Sequence, residues 1–183
     1  MLGPLLFLIY VNDLYRAVSN CEVRLFADDT SVFMHNKNFQ SLIDSAEMQL
    51  KNLYQWCKHN KLTINNSKTC FMIFHTKNKN AYETLQHLDI YGAQINRVKH
   101  AKYLGLIFDD MLSWNDHIYY VCQSLMKYFG IFNHIKSFIS KMLVRQLYFA
   151  FIYSRLSYGI ECFGNSSQSK LNDSKLFKTN CSN

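Results

Sequence analysis

Glu22-Val23-Arg24-Leu25-Phe26-Ala27-Asp28-Asp29-Thr30-Ser31-Val32-Phe33 sets two adjacent aspartates between two short runs rich in β-branched and aromatic residues. Runs of that composition form strands, so the segment predicts a β-hairpin with a carboxylate pair at its tip. Ala27 is small, which leaves the tip backbone open to close approach. No glycine is present, so an easy type I′ turn is not the only requirement on the tip. Two carboxylates there can hold a hard divalent cation such as Mg²⁺, because such ions take oxygen ligands. The competing reading is simpler: Asp-Asp is a common turn sequence whose carboxylates are usually solvated.

A second pair serves as a control. Tyr103-Leu104-Gly105-Leu106-Ile107-Phe108 reads as an apolar strand, and Asp109-Asp110 follows it. These carboxylates end a strand and precede a helix, and the expectation for them is a solvated connection. Local composition alone does not separate the two pairs sharply.

The chain has 183 residues, enough for one ordinary domain or one domain with a helical appendage. Hydrophobic residues make up 49 %, which permits a sizeable core, and a single proline and six glycines argue against low complexity. The net charge of +7 favours an acidic partner, with nucleic acid the first class to consider. Lys58, Lys61, Lys68, Lys77 and Lys79 fall in one stretch without acids, interleaved with Tyr, Phe and Asn, as on a phosphate-contacting surface. A solvated strand face would look similar. Cys21, Cys57, Cys70 and Cys122 sit among apolar residues and read as buried free thiols of a reduced, intracellular protein (nuclear or cytoplasmic, not secreted). Cys57 and His59 with Cys70 and His75 match no common zinc spacing. The apolar run from Leu5 to Val11 lacks a positive n-region and is too short to span a bilayer, so neither a signal peptide nor a membrane segment is expected.

Along the chain, Pro4 suits the first turn of a helix, and Leu5–Leu14 is apolar nearly all round, predicting a buried helix. Ile43, Ala46, Leu50, Leu53 and Cys57 recur at helical spacing within 39–59, with Asn60 as the stop. Lys61–Asn65 and Thr69–His75 read as short strands. Gly92-Ala93 marks a hairpin turn of type II′. Ser113-Trp114-Asn115-Asp116 resembles a capping box, and Trp114, Ile118, Val121, Leu125 and Phe129 form one core stripe. A further helix over 140–155 would turn Leu143, Leu147 and Phe151 inward. From Gly164 the chain becomes polar and aperiodic.

Read as an ordered series, these segments resemble a known family. The series is Gly3-Pro4-Leu5-Leu6-Phe7-Leu8-Ile9-Tyr10-Val11-Asn12-Asp13-Leu14, then Phe26-Ala27-Asp28-Asp29, then Trp56 with Asn60-Lys61-Leu62-Thr63-Ile64-Asn65, Lys68-Thr69 and Met72. Tyr103-Leu104-Gly105 and Trp114-Asn115-Asp116-His117-Ile118 complete it. Together they are similar to the reverse transcriptase of a jockey-like non-LTR retrotransposon, over roughly residues 2–165. The resemblance implies an α+β fold: a partial polymerase palm, an antiparallel sheet with packed helices, over 1–110. The start of a helical thumb follows over 111–163, and a polar, disordered tail over 164–183.

It also implies roles. Asp28 and Asp29 match the palm aspartate pair, with Asp28 the metal ligand and Asp29 an accessory carboxylate. Lys68 matches the lysine near the departing pyrophosphate, a general acid if its pKa is lowered there. Tyr103, Leu104 and Gly105 match the element that grips the primer end. Lys58, Lys61, Lys77 and Lys79 would contact nucleic acid. The implied cofactor is Mg²⁺ in a two-metal site, and the implied partners are an RNA template with a DNA primer and deoxynucleoside triphosphates. The family's first catalytic aspartate has no match before Asp28, and the Gln-Gly that helps hold the nucleotide and the fingers are also without counterparts. The expectation is a fragment with an incomplete metal site, inactive alone, and with an exposed sheet edge. The alternatives are a non-catalytic nucleic-acid-binding remnant and a decayed element product without selected function.

Overall fold

A computed structural model describes residues 2–76 and 85–165. The fold is mixed α and β, as the sequence predicts, with three small sheets rather than one. The chain divides into two compact units, Met1–Ile73 with Asn78–Val98 and Phe74–Lys77 with Lys99–Asn183.

In the first unit the Asp-Asp hairpin forms. Strand β1 (Glu22–Phe26) pairs antiparallel with β2 (Asp29–Phe33), with Phe26 opposite Asp29 and Val23 opposite Val32. Val23, Leu25 and Val32 pack on a core of Leu14, Val18, Leu53 and Cys57. Leu53 and Cys57 come from helix α2 (Phe39–His59), whose buried stripe Ile43, Ala46, Gln49, Leu53 and Cys57 follows the helical period. Asn38 caps α2 by accepting the Ser41 N–H at 3.2 Å. Buried Gln49 is satisfied by the Ser19 N–H at 2.9 Å. At the other end Lys61 takes φ +54, and the N–H groups of Lys61 and Leu62 donate to the carbonyls of Lys58 and Cys57. That is a Schellman stop with lysine where glycine is usual.

Several expectations are corrected here. Helix α1 (Leu2–Val11) exists but is not buried: only Val11 is enclosed, while Leu2, Leu5, Leu6, Leu8, Ile9 and Tyr10 are exposed. A helix apolar on every side cannot turn all of it to one neighbour. The expected strands at 61–65 and 69–75 shrink to β3 (Cys70–Phe71), because Asn65 organises a turn instead. β3 pairs parallel to β5 (Ala93–Arg97), which pairs antiparallel to β4 (His87–Ile90). The turn between β4 and β5 is Tyr91-Gly92, one residue earlier than expected, with φ of +49 and +81. Both values are positive, which makes it type I′ rather than II′. Of the four cysteines read as buried, only Cys57 is; Cys21 and Cys122 are half-buried and Cys70 is exposed.

In the second unit, the strand expected at 101–108 is a hairpin, β6 (His100–Tyr103) and β7 (Leu106–Asp109). Leu104 and Gly105 form its turn, with φ of +46 and +83. Helix α3 (Asn115–Ile135) buries Leu125, with Trp114 buried just before its first turn, while Phe129, at the end of the predicted stripe, is exposed. Leu106, Trp114 and Phe163 form the core of this unit, with Phe108 and Ile118 against them. The helix expected over 140–155 begins as α4 (Lys141–Leu147) and winds as a π-helix over Tyr148–Tyr153 before α5 (Ser154–Ser157). The wider π turn shifts the faces. Ile152 is buried and Phe151, expected inward, is exposed; Leu143, which precedes the π turn and is also expected inward, is exposed. Gly159 breaks the helix at φ +69 before α6 (Ile160–Phe163).

Candidate functional site

Asp28 lies in the turn of the first hairpin and Asp29 opens β2, so the two carboxylates share one tip. Ala27 reaches φ +51, so the turn closes through a positive φ without glycine. Both aspartates are exposed, and among the described residues neither side chain has a hydrogen bond or an ion pair. The tip is held from behind, by Val23, Leu25 and Val32 on the α2 core.

Lys68 stands on a separate turn of the same unit. Asn65 builds that turn: its side-chain oxygen accepts the N–H and hydroxyl of Ser67 at 3.1 and 2.6 Å. Its carbonyl accepts the N–H groups of Lys68 and Thr69 at 3.1 and 3.0 Å. Lys68 is thereby presented to solvent, with no ion pair among the described residues. Asn65 belongs to the motif series, which does not announce its role as organiser; an Asn two residues before Ser is the signal for such a turn. Lys58 and Lys61 are exposed at the C-terminal end of α2, while Lys77 and Lys79 lie outside the described residues. Tyr103, Leu104 and Gly105 sit at the end of β6 and in the β6–β7 turn of the second unit.

Two carboxylates on one exposed tip can hold one Mg²⁺ that keeps water in its other positions, but they do not by themselves hold two ions. Among the described residues no three His, Cys, Asp or Glu side chains come together as a metal site. The residues present therefore do not by themselves fit a two-metal centre.

The control pair behaves in the opposite way, and the expectation of a solvated connection is wrong. Asp109 is 5 % exposed and Asp110 8 %. One Asp109 oxygen accepts the N–H groups of Met111 and Ser113 at 3.1 and 2.9 Å, and the other accepts the Trp114 N–H at 2.8 Å and the Ser113 hydroxyl at 3.2 Å. Burial pushes the Asp109 carboxyl up, but the hydrogen bonds from Ser113, Trp114 and Met111 outweigh it and hold the group below its usual range. This carboxylate replaces the expected capping box. Ser113 gives its hydroxyl to Asp109, and Trp114, at φ +63, precedes α3 without a side-chain cap. Asp110 ties down a neighbouring segment: its carbonyl accepts the His75 N–H at 3.1 Å and its carboxylate lies 3.5 Å from the His75 ring. Beside this lies His117, 2 % exposed, whose Nδ1 accepts the Ile107 N–H at 3.3 Å. That bond assigns the proton to Nε2, which has no hydrogen-bond partner among the described residues. Burial lowers the pKa of this imidazole.

A family model described as "Reverse transcriptase (RNA-dependent DNA polymerase)" matches residues 1–108. Two curated Drosophila melanogaster proteins are similar over nearly the whole chain. One, named "Probable RNA-directed DNA polymerase from transposon BS", is 24 % identical over 94 % of this chain and 20 % of its own length. The other, "RNA-directed DNA polymerase from mobile element jockey", is 22 % identical over 97 % of this chain and 20 % of its own length. The chain thus spans a fifth of the length of these relatives. No solved structure matches it, and no helix among the described residues is long and apolar enough to cross a membrane.

Proposed function

Because the chain belongs to the reverse transcriptase (RNA-dependent DNA polymerase) family, we propose that it is a segment of an RNA-directed DNA polymerase and supplies part of its nucleotidyl-transfer site. The β1–β2 tip is then the palm's aspartate pair, Lys68 the lysine near the leaving pyrophosphate, and the β6–β7 turn the primer grip. The helices after Asp110 form the start of the thumb. The observation that supports this reading best is the state of Asp28 and Asp29, adjacent on a buttressed hairpin tip, exposed, and with no side-chain bond among the described residues. A structural carboxylate is occupied, as Asp109 is. A carboxylate left free by its own fold is available to an external ligand.

Polymerases of this family generally use divalent metals. In this reading a complete metal site draws further carboxylates from outside these 183 residues, and the chain alone extends no primer. The test is DNA-primer extension on an RNA template by a longer polymerase carrying these residues. Extension by the parent, with loss in Asp28→Asn, is the expected result; parental rates in Asp28→Asn overturn the assignment.

A second reading, nucleic-acid binding without chemistry, rests on a separate observation. Between Asp116 and Glu161 the chain has no acidic residue but carries Lys127, Lys136, Lys141, Arg145 and Arg155. An acid-free helical stretch of this kind suits phosphate contacts. Salt-sensitive binding of an RNA–DNA hybrid by this chain, unchanged in Asp28→Ala, with no extension by the longer form, favours this reading.

A further inference from the structure

The β6–β7 turn carries a conformational cost that its own sequence does not explain. A two-residue I′ turn needs positive φ at both central positions, and Asn-Gly is its natural sequence. Here the first position is Leu104, at φ +46, a region that a leucine rarely enters. Such strain costs stability, which the surrounding contacts offset.

The imposing element lies 54 residues away in sequence. The Tyr158 hydroxyl donates to the Leu104 carbonyl. The Tyr158 ring lies over Gly105, where a Cβ would stand 3.2 Å from its Cε1. The next residue, Gly159, packs its backbone on Leu106, where a Cβ would meet Cδ2 at 2.5 Å. Leu106 itself belongs to the core with Trp114 and Phe163. To make these contacts the helix ends at Tyr158, whose ψ is +117, and restarts after Gly159 in the left-handed region. A hydrogen bond to the carbonyl between the two turn residues fixes the orientation of that peptide plane. Ring contact on Gly105 then blocks the alternative turn.

The geometry points to Tyr158, with Gly159, as a positioning residue that clamps the Leu104-Gly105 turn in the strained form that meets the primer end. This rests on the primer-grip reading of Tyr103-Leu104-Gly105. Tyr158 acts through the turn and does not touch the reacting atoms. Asparagine tolerates the left-handed region that leucine resists, so Asn at 104 substitutes for the clamp.

The test uses the full 183-residue chain and a DNA primer with 2-aminopurine at its 3′ end, annealed to a longer RNA. Two readouts are followed in wild type, Tyr158→Phe, and Tyr158→Phe with Leu104→Asn: amide exchange over 103–107 and the fluorescence change of the primer terminus. Tyr158→Phe keeps the ring and removes only the hydroxyl. It is expected to speed exchange of the turn about tenfold, as the loss of one ordinary hydrogen bond would, and to weaken the terminus response about tenfold at unchanged salt dependence. Leu104→Asn in the same chain is expected to restore both. Unchanged turn exchange in Tyr158→Phe overturns the clamp. So does a looser turn with a wild-type terminus response, which leaves the primer grip standing. Absence of any terminus response in the wild type, with the turn loosened by Tyr158→Phe, overturns the primer-grip reading and the purpose assigned to the clamp, although the contact itself is real. Should Tyr158→Phe fold poorly, Gly105→Ala strains the same contact from the turn side and is expected to give the same pair of changes.

Discussion

Two Asp-Asp dipeptides in this chain meet opposite fates. Asp28 and Asp29 sit on a hairpin tip, exposed and without side-chain partners among the described residues, while Asp109 and Asp110 are buried and bonded to their surroundings. The residues that follow each pair decide the outcome. After Asp29 the chain pairs at once as a strand, so its backbone donors enter the β1–β2 ladder and leave the carboxylates alone. After Asp109 the chain turns through Leu112 and Trp114, both at positive φ, before α3 starts. Those turns release N–H groups that no ladder or helix can take, and the Asp109 carboxylate collects them. A carboxylate consumed by its own fold is structural, and one left free by a rigid support is available to a ligand.

Substitution should separate the pairs most widely in activity. In a longer polymerase that carries these residues, Asp28→Asn is expected to lower primer extension by about 10³-fold, in the range for loss of a positioned catalytic group. In the same variant of this chain the stability read from urea unfolding should change little, by less than about 0.5 kcal/mol. Asp109→Ala should do the reverse to stability. It strips the acceptor from three buried or half-buried N–H groups and is expected to cost about 3 kcal/mol in the second unit. Trp114 fluorescence in a Trp56→Phe background reports that unit alone. An Asp109→Ala midpoint equal to the parent's would mean that Asp109 is not the hub described here.

Acid provides a smaller contrast, located in the same unit. His117 has its pKa lowered by burial, so its folded form resists a proton that the unfolded form, with a usual value of 6.5, accepts. Its contribution is complete above about pH 6.5 and is lost as the pH falls through the folded value. Asp109 follows the same sign lower down: its contribution is complete above its usual value of 3.8 and is lost as the pH falls through the depressed one. The second unit should therefore weaken as the pH falls from about 7.5 to about 5.5, and His117→Phe should flatten that slope. A slope that survives His117→Phe places the sensitive group elsewhere.

The sequence made the first hairpin, α2 and the start of α3 legible because each has a clean period and local stop signals. It misled wherever a distant residue decided. Tyr103–Phe108 is uniformly apolar and reads as one strand; only Tyr158 and the core under Leu106 hold the turn at Leu104. The burial of Asp109 depends on donors freed by two unusual φ values that composition does not announce. The π turn at Tyr148–Tyr153 shifts every face after it, so the helical period put Phe151 inside where Ile152 belongs. At the candidate site, the tip carboxylates and the exposed Lys68 were readable from local motifs, and the support of Lys68 by Asn65 was not.

The smallest effect tests how much strain the free tip stores. Ala27 holds φ +51 without the outside clamp that Leu104 has. An alanine in the left-handed region costs about 1 kcal/mol, and glycine relieves that cost while losing part of it to the greater entropy of its unfolded chain. Ala27→Gly should therefore stabilise the first unit by a few tenths of a kcal/mol up to about 0.5, read from Trp56 fluorescence in a Trp114→Phe background. If the tip is purely structural, the longer polymerase should keep its extension rate in Ala27→Gly. If the tip must hold Asp28 at a fixed angle, the added freedom should lower extension while stability rises. A gain in one with a loss in the other is the signature of a hairpin shaped for a ligand, and Asp109-Asp110 has no equivalent, since every bond there serves the fold.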